Sequence, residues 1–206
     1  MTITKETMAD ISPQKVKELR ERTGAGMMDC KRALEETSGD VEKAVQLLRE
    51  RGQASAAKKA GRDVREGIVS SYIHPGGRLG VLIEVNSETD FVARNDEFQK
   101  LVRDLAMQVA GLDPKYTTIE SIPAEVVEAR RTELLADETV QGKPDNVRGQ
   151  IVEGQMRKWY QSVVLYEQIF RDTDQKVGDL VNDAIARIGE NIRVRRFVRY
   201  QLGEDV

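Results

Sequence analysis

The chain has 206 residues, of which 39% are hydrophobic and 33% are charged. This balance supplies enough apolar side chains for a core and excludes the composition of a disordered chain, so a soluble globular protein of one or two domains is predicted. With 32 lysines and arginines against 35 aspartates and glutamates, the net charge is -3, and no overall positive field attracts nucleic acid or an anionic membrane.

Cysteine and histidine are almost missing. The single cysteine, Cys30, excludes an intrachain disulfide, and the single histidine, His74, leaves too few soft ligands for a closed zinc site. Cys30 lies on an apolar helical stripe and is interpreted as a small buried hydrophobe. The N-terminal residues carry no apolar signal-like run, and no stretch approaches about 18 apolar residues, so we expect a cytoplasmic protein.

Three short amphipathic helices are predicted in the first fifty residues. Ser12-Pro13 is a helix start signal, because serine accepts from an orphan amide and proline at the first helical position loses no hydrogen bond. The first helix is predicted to end at Gly24 and the second at Gly39. The third runs from a cap at Asp40 to a stop at Gly52.

The remainder combines antiparallel strands with blocks of helix. Alternating apolar residues on both sides of a turn at 75–78 predict a β-hairpin over 68–85. Asn95 is a good N-cap for a helix that ends near Gly111. Further helices are predicted to open at Pro123, Pro144 and Asp174, followed by a strand of alternating parity at 192–202. This order indicates an α+β fold rather than a wound parallel sheet.

The chain is therefore predicted to divide into a three-helix domain at 1–54 and an α+β core domain at 55–206 that begins with a helical connector at 55–66. The helix opening at Pro144 carries a heptad-like seam, which we expect to need a helical partner. Its members recur at spacings of four and three: Val152, Met156, Trp159, Val163, Tyr166 and Phe170.

Motifs for enzymatic chemistry are missing from the sequence. It contains no G-x-x-x-x-G-K-[ST], no G-x-G-x-x-G and no H-E-x-x-H. The glycine run at 76–80 is better explained as a hairpin turn than as a phosphate cradle. His74 is the sole histidine for a Ser-His-Asp or Cys-His mechanism, and at the start of a turn it is expected to form a local hydrogen bond. An enzyme is the least expected class.

Two segments carry side chains suited to contacts with other molecules. Arg193–Tyr200 interleaves arginines with aromatic residues, which fits an RNA-facing sheet, a surface for an acidic protein or, as the preferred interpretation, a solvated cationic face. The polar segment 87–95 contains Phe91 and Val92. From the residues alone, Phe91 is predicted to be a loop anchor folded onto the core, with an exposed partner contact as the alternative.

Several blocks together point to one family. Two runs stand out, VKELRERTGAGMMDCK at 16–31 and EVNSETDFVA at 84–93. They closely resemble the two signatures of the bacterial translation elongation factor Ts family. The blocks at 142–144, 152–158 and 188–197 are similar to later family blocks, in the family's order. The resemblance covers nearly the whole chain, and several long matches in one order are more specific than any single motif.

The resemblance implies a guanine nucleotide exchange factor for elongation factor Tu, without substrate-transforming chemistry, cofactor or metal. It implies that a ubiquitin-associated-like (UBA-like) three-helix module docks on the partner's G domain. Asp90 and Phe91 would act as a wedge between G-domain helices near the magnesium and phosphate site, where they weaken nucleotide binding. The implied partner contacts are Met27, Met28, Lys31, Thr89, Asp90, Phe91, Val92 and Gln108. An organellar member would work in a plastid stroma instead of the cytoplasm.

The chain resembles the short form of the family, with a single core repeat, and short forms are homodimers. The seam at 152–170 and the strand near 192–202 are the candidates for the dimer contact, although each could be internal core. Many relatives carry histidine in place of Gln108 and proline in place of Ile169. Glutamine can still donate a hydrogen bond but cannot titrate. Loss of the proline is expected to let the long helix continue.

Two other classes stay open from the residues. One is an RNA-binding accessory protein that uses Arg193–Tyr200, for which RNA affinity would fall steeply with salt. The other is an adaptor that uses the three-helix bundle to bind helical or ubiquitin-like partners. An isolated 1–54 fragment that binds as well as the full chain would favour the adaptor.

Overall fold

A computed structural model describes residues 11–171 and 173–204, which separate into two compact units. The first unit contains 11–63 and 182–191, and the second contains 64–171, 173–181 and 192–204. Within these described residues, no helix is long and apolar enough to cross a membrane. Most of the N-terminal stretch in which we expected no signal-like run, residues 1–10, lies outside them.

The first unit contains three packed helices, α1 (Pro13–Thr23), α2 (Met27–Glu36) and α3 (Val41–Lys59). The predicted caps are confirmed, since Ser12 accepts from the Lys15 amide at 3.3 Å and Asp40 accepts from the Lys43 amide at 3.1 Å. Gly24 ends α1 in the left-handed region, with φ 66°, which glycine adopts without steric cost. The core of the bundle is formed by Val16, Leu19, Cys30, Ala33, Leu34 and Ala44.

The predicted stop of the third helix at Gly52 is wrong. Helix α3 runs through this glycine to Lys59, so the expected helical connector at 55–66 is helical only over its first residues. Gly52 is buried, and a Cβ atom there would lie 3.4 Å from a carboxylate oxygen of Asp183. Packing in this unit outweighs the cost of about 1 kcal/mol that glycine brings to a helix interior.

The second unit is built on a three-stranded antiparallel sheet of order β1-β2-β3, with β1 (Glu66–Ile73), β2 (Leu79–Ser87) and β3 (Ile192–Gln201). The α+β class, the hairpin and the C-terminal strand are therefore confirmed. The alternation expected along β3 is interrupted, because Val85 pairs with Val194 while Glu84 pairs with Arg196. Arg195 is the extra residue of a β-bulge, which changes the face that the following side chains occupy.

Helices follow the hairpin: α4 (Asp90–Ala93), α5 (Asp96–Leu112), α6 (Ala124–Ala136), α7 (Glu138–Gln141), α8 (Asp145–Val163) and α9 (Val177–Ile188), the last contributing residues to both units. Helix α5 packs on β1 and β2. Its predicted cap is confirmed, because the Asn95 side chain accepts from the Glu97 amide at 2.7 Å. Its buried face carries Phe98, Leu101, Val102, Leu105 and Val109.

Helix α8 is shorter than the seam predicted. It ends at Val163, and the seam's last two members lie beyond it. Val164 is extended and bridges Tyr116 in parallel, while the Leu165 amide donates to the Tyr116 carbonyl at 2.8 Å. Because this pairing takes the chain out of the helix before Ile169, the missing proline does not lengthen α8, contrary to expectation.

The helical part of the seam packs against other helices of the same unit. Helix α8 packs against α6 and α7. The cluster between these helices contains Leu134, Val140, Val152 and Met156. The first two seam residues are thus internal core, which was one of the two alternatives for this segment.

Candidate partner-binding site

A tight turn joins β2 to α4. The Ser87 hydroxyl donates to the Thr89 carbonyl at 2.9 Å, and Thr89 is extended, with φ -127°. The chain then makes one helical turn, closed by the amides of Arg94 and Asn95, which donate to the carbonyls of residues 91 and 92 at 3.2 and 2.9 Å. Backbone hydrogen bonds therefore define the shape of the segment that carries Asp90.

The turn separates its apolar side chains between core and surface. Val92 and Ala93 are buried, whereas Phe91 is 78% exposed. The prediction of Phe91 as a loop anchor is therefore wrong, and Val92 occupies that position. Consecutive residues of a helix point about 100° apart, so one helical turn can bury two neighbours and direct the ring outward. The sequence predicts no helix within 87–95, so this helical turn is a finding of the structure.

A charged pair lies beside the exposed ring. The Arg94 guanidinium donates to the Asp90 carboxylate at 2.8 Å, across the i,i+4 spacing. Asp90 is half-exposed and Arg94 is exposed. Helix α4 thus presents an aromatic ring together with a carboxylate that already has a cationic partner.

The predicted contacts in the first unit form a second exposed surface. Met28, at the start of α2, is 64% exposed, and Met27 is half-exposed. Lys31 is exposed one turn later, with its ammonium 3.7 Å from a Glu35 carboxylate oxygen. Methionine side chains are flexible and polarizable, so this surface can adapt to a partner.

Gln108 differs from the other predicted contacts, because its side chain is only 1% exposed. Its amide nitrogen donates to the Ile169 carbonyl at 3.0 Å and to the Gln168 side chain at 3.3 Å. Its amide oxygen accepts from the Arg171 backbone at 3.2 Å. The hydrogen-bond donor expected at this position is present, and its acceptors belong to the chain's own 168–171 loop.

Two other predictions of local chemistry are confirmed. Cys30 is fully buried, and burial raises the pKa of its thiol, which keeps the unreactive thiol form at neutral pH. His74 lies in the hairpin turn with its Nδ1 3.0 Å from the Tyr72 hydroxyl. Among the described residues, no group of three or more His, Cys, Asp or Glu side chains could hold a metal ion.

The basic strand is partly neutralised by its own unit. Burial alone would raise the pKa of Glu84, but hydrogen bonds from Arg196 and Asn86 outweigh it and hold that pKa below its usual value. The Arg196 guanidinium lies 2.7 Å from the Glu84 carboxylate, and that of Arg195 lies 3.6 Å away. Arg199 donates to the Ala110 carbonyl at 3.3 Å. The strand offers less free positive charge to RNA than its composition indicated.

One surface was missed by the sequence reasoning. The sheet face opposite Val81, Ile83 and Val85 is also largely apolar, and we call it the outer sheet face. Pairing places Leu82 between Ser71 and Val198, and the next row joins Gly80 to Ile73 and Tyr200. Its exposed apolar residues are Val69, Ile73, Leu82, Val198 and Tyr200. The sequence carried a signal for this face. Consecutive strand positions are apolar, such as Leu82 between Val81 and Ile83, so both faces of the strand carry apolar side chains.

Comparison with known proteins agrees with the blocks in the sequence. The family model described as elongation factor TS matches residues 1–204. Elongation factor Ts of Carboxydothermus hydrogenoformans is 57% identical over 195 residues, which cover 94% of this chain and 90% of the relative. Elongation factor Ts of Thermotoga petrophila is 54% identical over 197 residues, which cover 95% of this chain and 98% of the relative.

Proposed function

This chain belongs to the elongation factor Ts family, the nucleotide exchange factors of elongation factor Tu, which are not catalytic enzymes, and we propose that its α4 turn is the wedge that releases GDP. Phe91 and Asp90 insert between helices of the partner's G domain near its magnesium and phosphate site. The observation that carries this proposal is the exposed Phe91 ring on a turn whose next two residues are buried. The factor works where ribosomes are, in the cytoplasm or a plastid stroma.

The buried support of the ring lowers the cost of insertion. Because Val92 and Ala93 anchor the turn, the backbone of Phe91 is ordered before the partner arrives. Because this order already exists in the free protein, binding does not incur its entropy cost a second time. Burial of a phenylalanine ring contributes about 1.5–3 kcal/mol, which corresponds to roughly 10- to 150-fold in an equilibrium constant.

Exchange then follows from the coupling of two binding equilibria. A factor that binds nucleotide-free elongation factor Tu more tightly than the GDP-bound form weakens GDP binding by the same ratio. The wedge provides this difference if its site is accessible only when the phosphate and magnesium contacts are loosened. No bond is made or broken in this step, which accords with a chain that lacks catalytic motifs.

The remaining predicted contacts support the wedge. Met27 and Met28 dock on the G domain as an adaptable apolar surface, with Lys31 as the adjacent charge. Thr89 contacts the partner at the base of the turn that carries Phe91, whereas Val92 is buried and supports the contact from beneath the ring.

Gln108 has an indirect role in this proposal. Its side chain is buried, so it reaches the partner through the 168–171 loop, whose backbone it holds at both Ile169 and Arg171. Exposed residues of that loop, including Ile169, then lie where a partner can contact them.

The same proposal includes a homodimer formed through the outer sheet face. Leu82 and Val198 lie side by side at its centre, and Val69 and Ile73 extend the apolar surface along β1. A two-fold interface brings the same patch of both copies together, and two apolar sheet faces pack about 10 Å apart. Strand β3 thus contributes to the contact. Sedimentation velocity of the full chain gives twice the chain mass if this proposal holds.

The experiment that tests the wedge is the release of fluorescent GDP from cognate elongation factor Tu, at fixed magnesium, with catalytic amounts of this protein. The wild-type chain accelerates release, and Phe91→Ala loses most of the acceleration, by about 10- to 150-fold. Leu135→Ala, which truncates a half-exposed leucine on α6, is the matched control and keeps the wild-type rate. Full activity of a folded Phe91→Ala variant would overturn the wedge without affecting family membership.

A further inference from the structure

Arg94 is a charged residue next to the proposed wedge, and no role has so far been assigned to it. Its guanidinium lies 2.8 Å from Asp90 Oδ2, and both residues are accessible to a partner. The Arg94 amide also closes the helical turn by donating to the Phe91 carbonyl at 3.2 Å. Any residue except proline can make that backbone contact, so the side chain is not needed to form the turn.

The ion pair contributes little to folding. Exposed i,i+4 pairs are weak in water, because solvent and salt screen the two charges and both side chains lose rotamer freedom. The same pair becomes stronger when an interface removes water from it. Its value is therefore expected in the complex rather than in the free chain.

We propose that Arg94 is a positioning residue for Asp90. It holds the carboxylate in one orientation beside the Phe91 ring and compensates its negative charge while the turn approaches the partner's phosphate site. A carboxylate without this compensation would be repelled by phosphate and would enter the interface unpaired, which is costly. The inference rests on the proposed wedge, since it assigns the residue that prepares one of the two wedge side chains.

Two features of α4 favour this assignment over a direct contact. Arg94 is the C-cap of the turn, one residue after the buried Ala93, whereas Asp90 opens the turn beside Phe91. The guanidinium reaches back across the whole turn to Asp90. A planar guanidinium holds a carboxylate with more directional precision than an ammonium group does.

A double-mutant cycle in the GDP-release assay tests the proposal with four proteins: wild type, Arg94→Gln, Asp90→Ala and the double variant. Arg94→Gln is expected to lower kcat/KM by about tenfold, in line with close charge pairs at interfaces. In the Asp90→Ala background the same change is expected to have no further effect, because nothing remains to be positioned. Arg94→Lys restores part of the activity.

The controls separate the possible failures. Lys100→Gln removes another i,i+4 pair of the same 2.8 Å length, to Asp104 on α5, and is expected to leave kcat/KM unchanged. Melting temperatures of all variants match the wild type. Additive losses in the cycle would show that Arg94 contacts the partner itself and would overturn the proposal, as would an unchanged rate for Arg94→Gln. Wild type and Phe91→Ala, measured in parallel, show separately whether the wedge proposal holds.

Discussion

The α4 turn and the outer sheet face both expose apolar side chains, but they differ in area and support. Phe91 projects as a single ring from one helical turn. The outer sheet face instead spreads aliphatic side chains and Tyr200 over three paired strands. A small contact can form and break in each round of exchange, whereas a broad flat face suits a lasting interface. Exposure alone therefore does not define a role, and area must be considered with it.

The largest effect is expected from a charge placed in the outer sheet face. Leu82→Glu places a carboxylate at its centre, and burying that charge in a two-fold contact without a partner costs several kcal/mol. We expect sedimentation velocity to show the monomer mass for this variant. Leu135→Glu changes a leucine that is equally exposed, 46% against 47%, and is expected to leave the dimer intact.

The Leu82→Glu variant also tests whether the outer sheet face and the α4 turn act independently. GDP release per chain by Leu82→Glu should stay within about twofold of wild type, because the change leaves α4 untouched. If release fell together with the dimer mass, the two regions would not act independently.

A smaller effect is expected from truncating Val92, the buried residue that supports the Phe91 ring. Val92→Ala removes two buried carbons and should lower the free energy of unfolding by about 1.6 kcal/mol, at about 0.8 kcal/mol for each. GDP release should also fall, although Phe91 is intact, because the turn is less well ordered before binding. Denaturant unfolding and the release assay measure the two effects. Leu135→Ala, at a half-exposed leucine of α6 outside both regions, should leave the release rate unchanged.

The smallest effect concerns the polar row of the outer sheet face, where Glu84 lies beside Arg196. Because hydrogen bonds from Arg196 and Asn86 lower the pKa of Glu84 despite its burial, the carboxylate stabilises the fold above its unfolded pKa, about 4.3. That stabilisation is lost as the pH falls through the lower folded pKa.

Unfolding free energies of Glu84→Gln and wild type should therefore differ at pH 7 and converge in acid. Glu133→Gln, at an exposed α6 residue that pairs with Arg130, is the control and should track wild type at each pH. A difference that persisted unchanged in acid would contradict the assigned role of the carboxylate.

Features governed by neighbouring residues were predictable from the sequence. The caps at Ser12, Asp40 and Asn95 are confirmed, because capping depends on amides two or three residues away. The class of fold followed from alternation and helical periodicity, which are also local. The family followed from several ordered blocks, of which the run at 84–93 includes the two residues of the proposed wedge.

Features governed by distant residues were not predictable. The end of α8 depends on pairing with Tyr116, some 48 positions before Val164. The burial of Gln108 depends on Ile169, 61 positions later in the chain. The exposure of Phe91 was missed because one short helical turn has too few residues for a periodic pattern.

The order of the strands has a consequence for the synthesis of this chain. Strand β2 lies at the centre of the sheet, but its second neighbour β3 begins at Ile192, 105 positions after β2 ends at Ser87. At about 5–20 residues per second, a ribosome needs roughly 5–20 s to make that interval. During this time one edge of β2 has no strand to pair with, and apolar side chains on both faces of the hairpin remain open to other nascent chains. The sheet of this translation factor is therefore completed only when synthesis of its own chain is nearly finished.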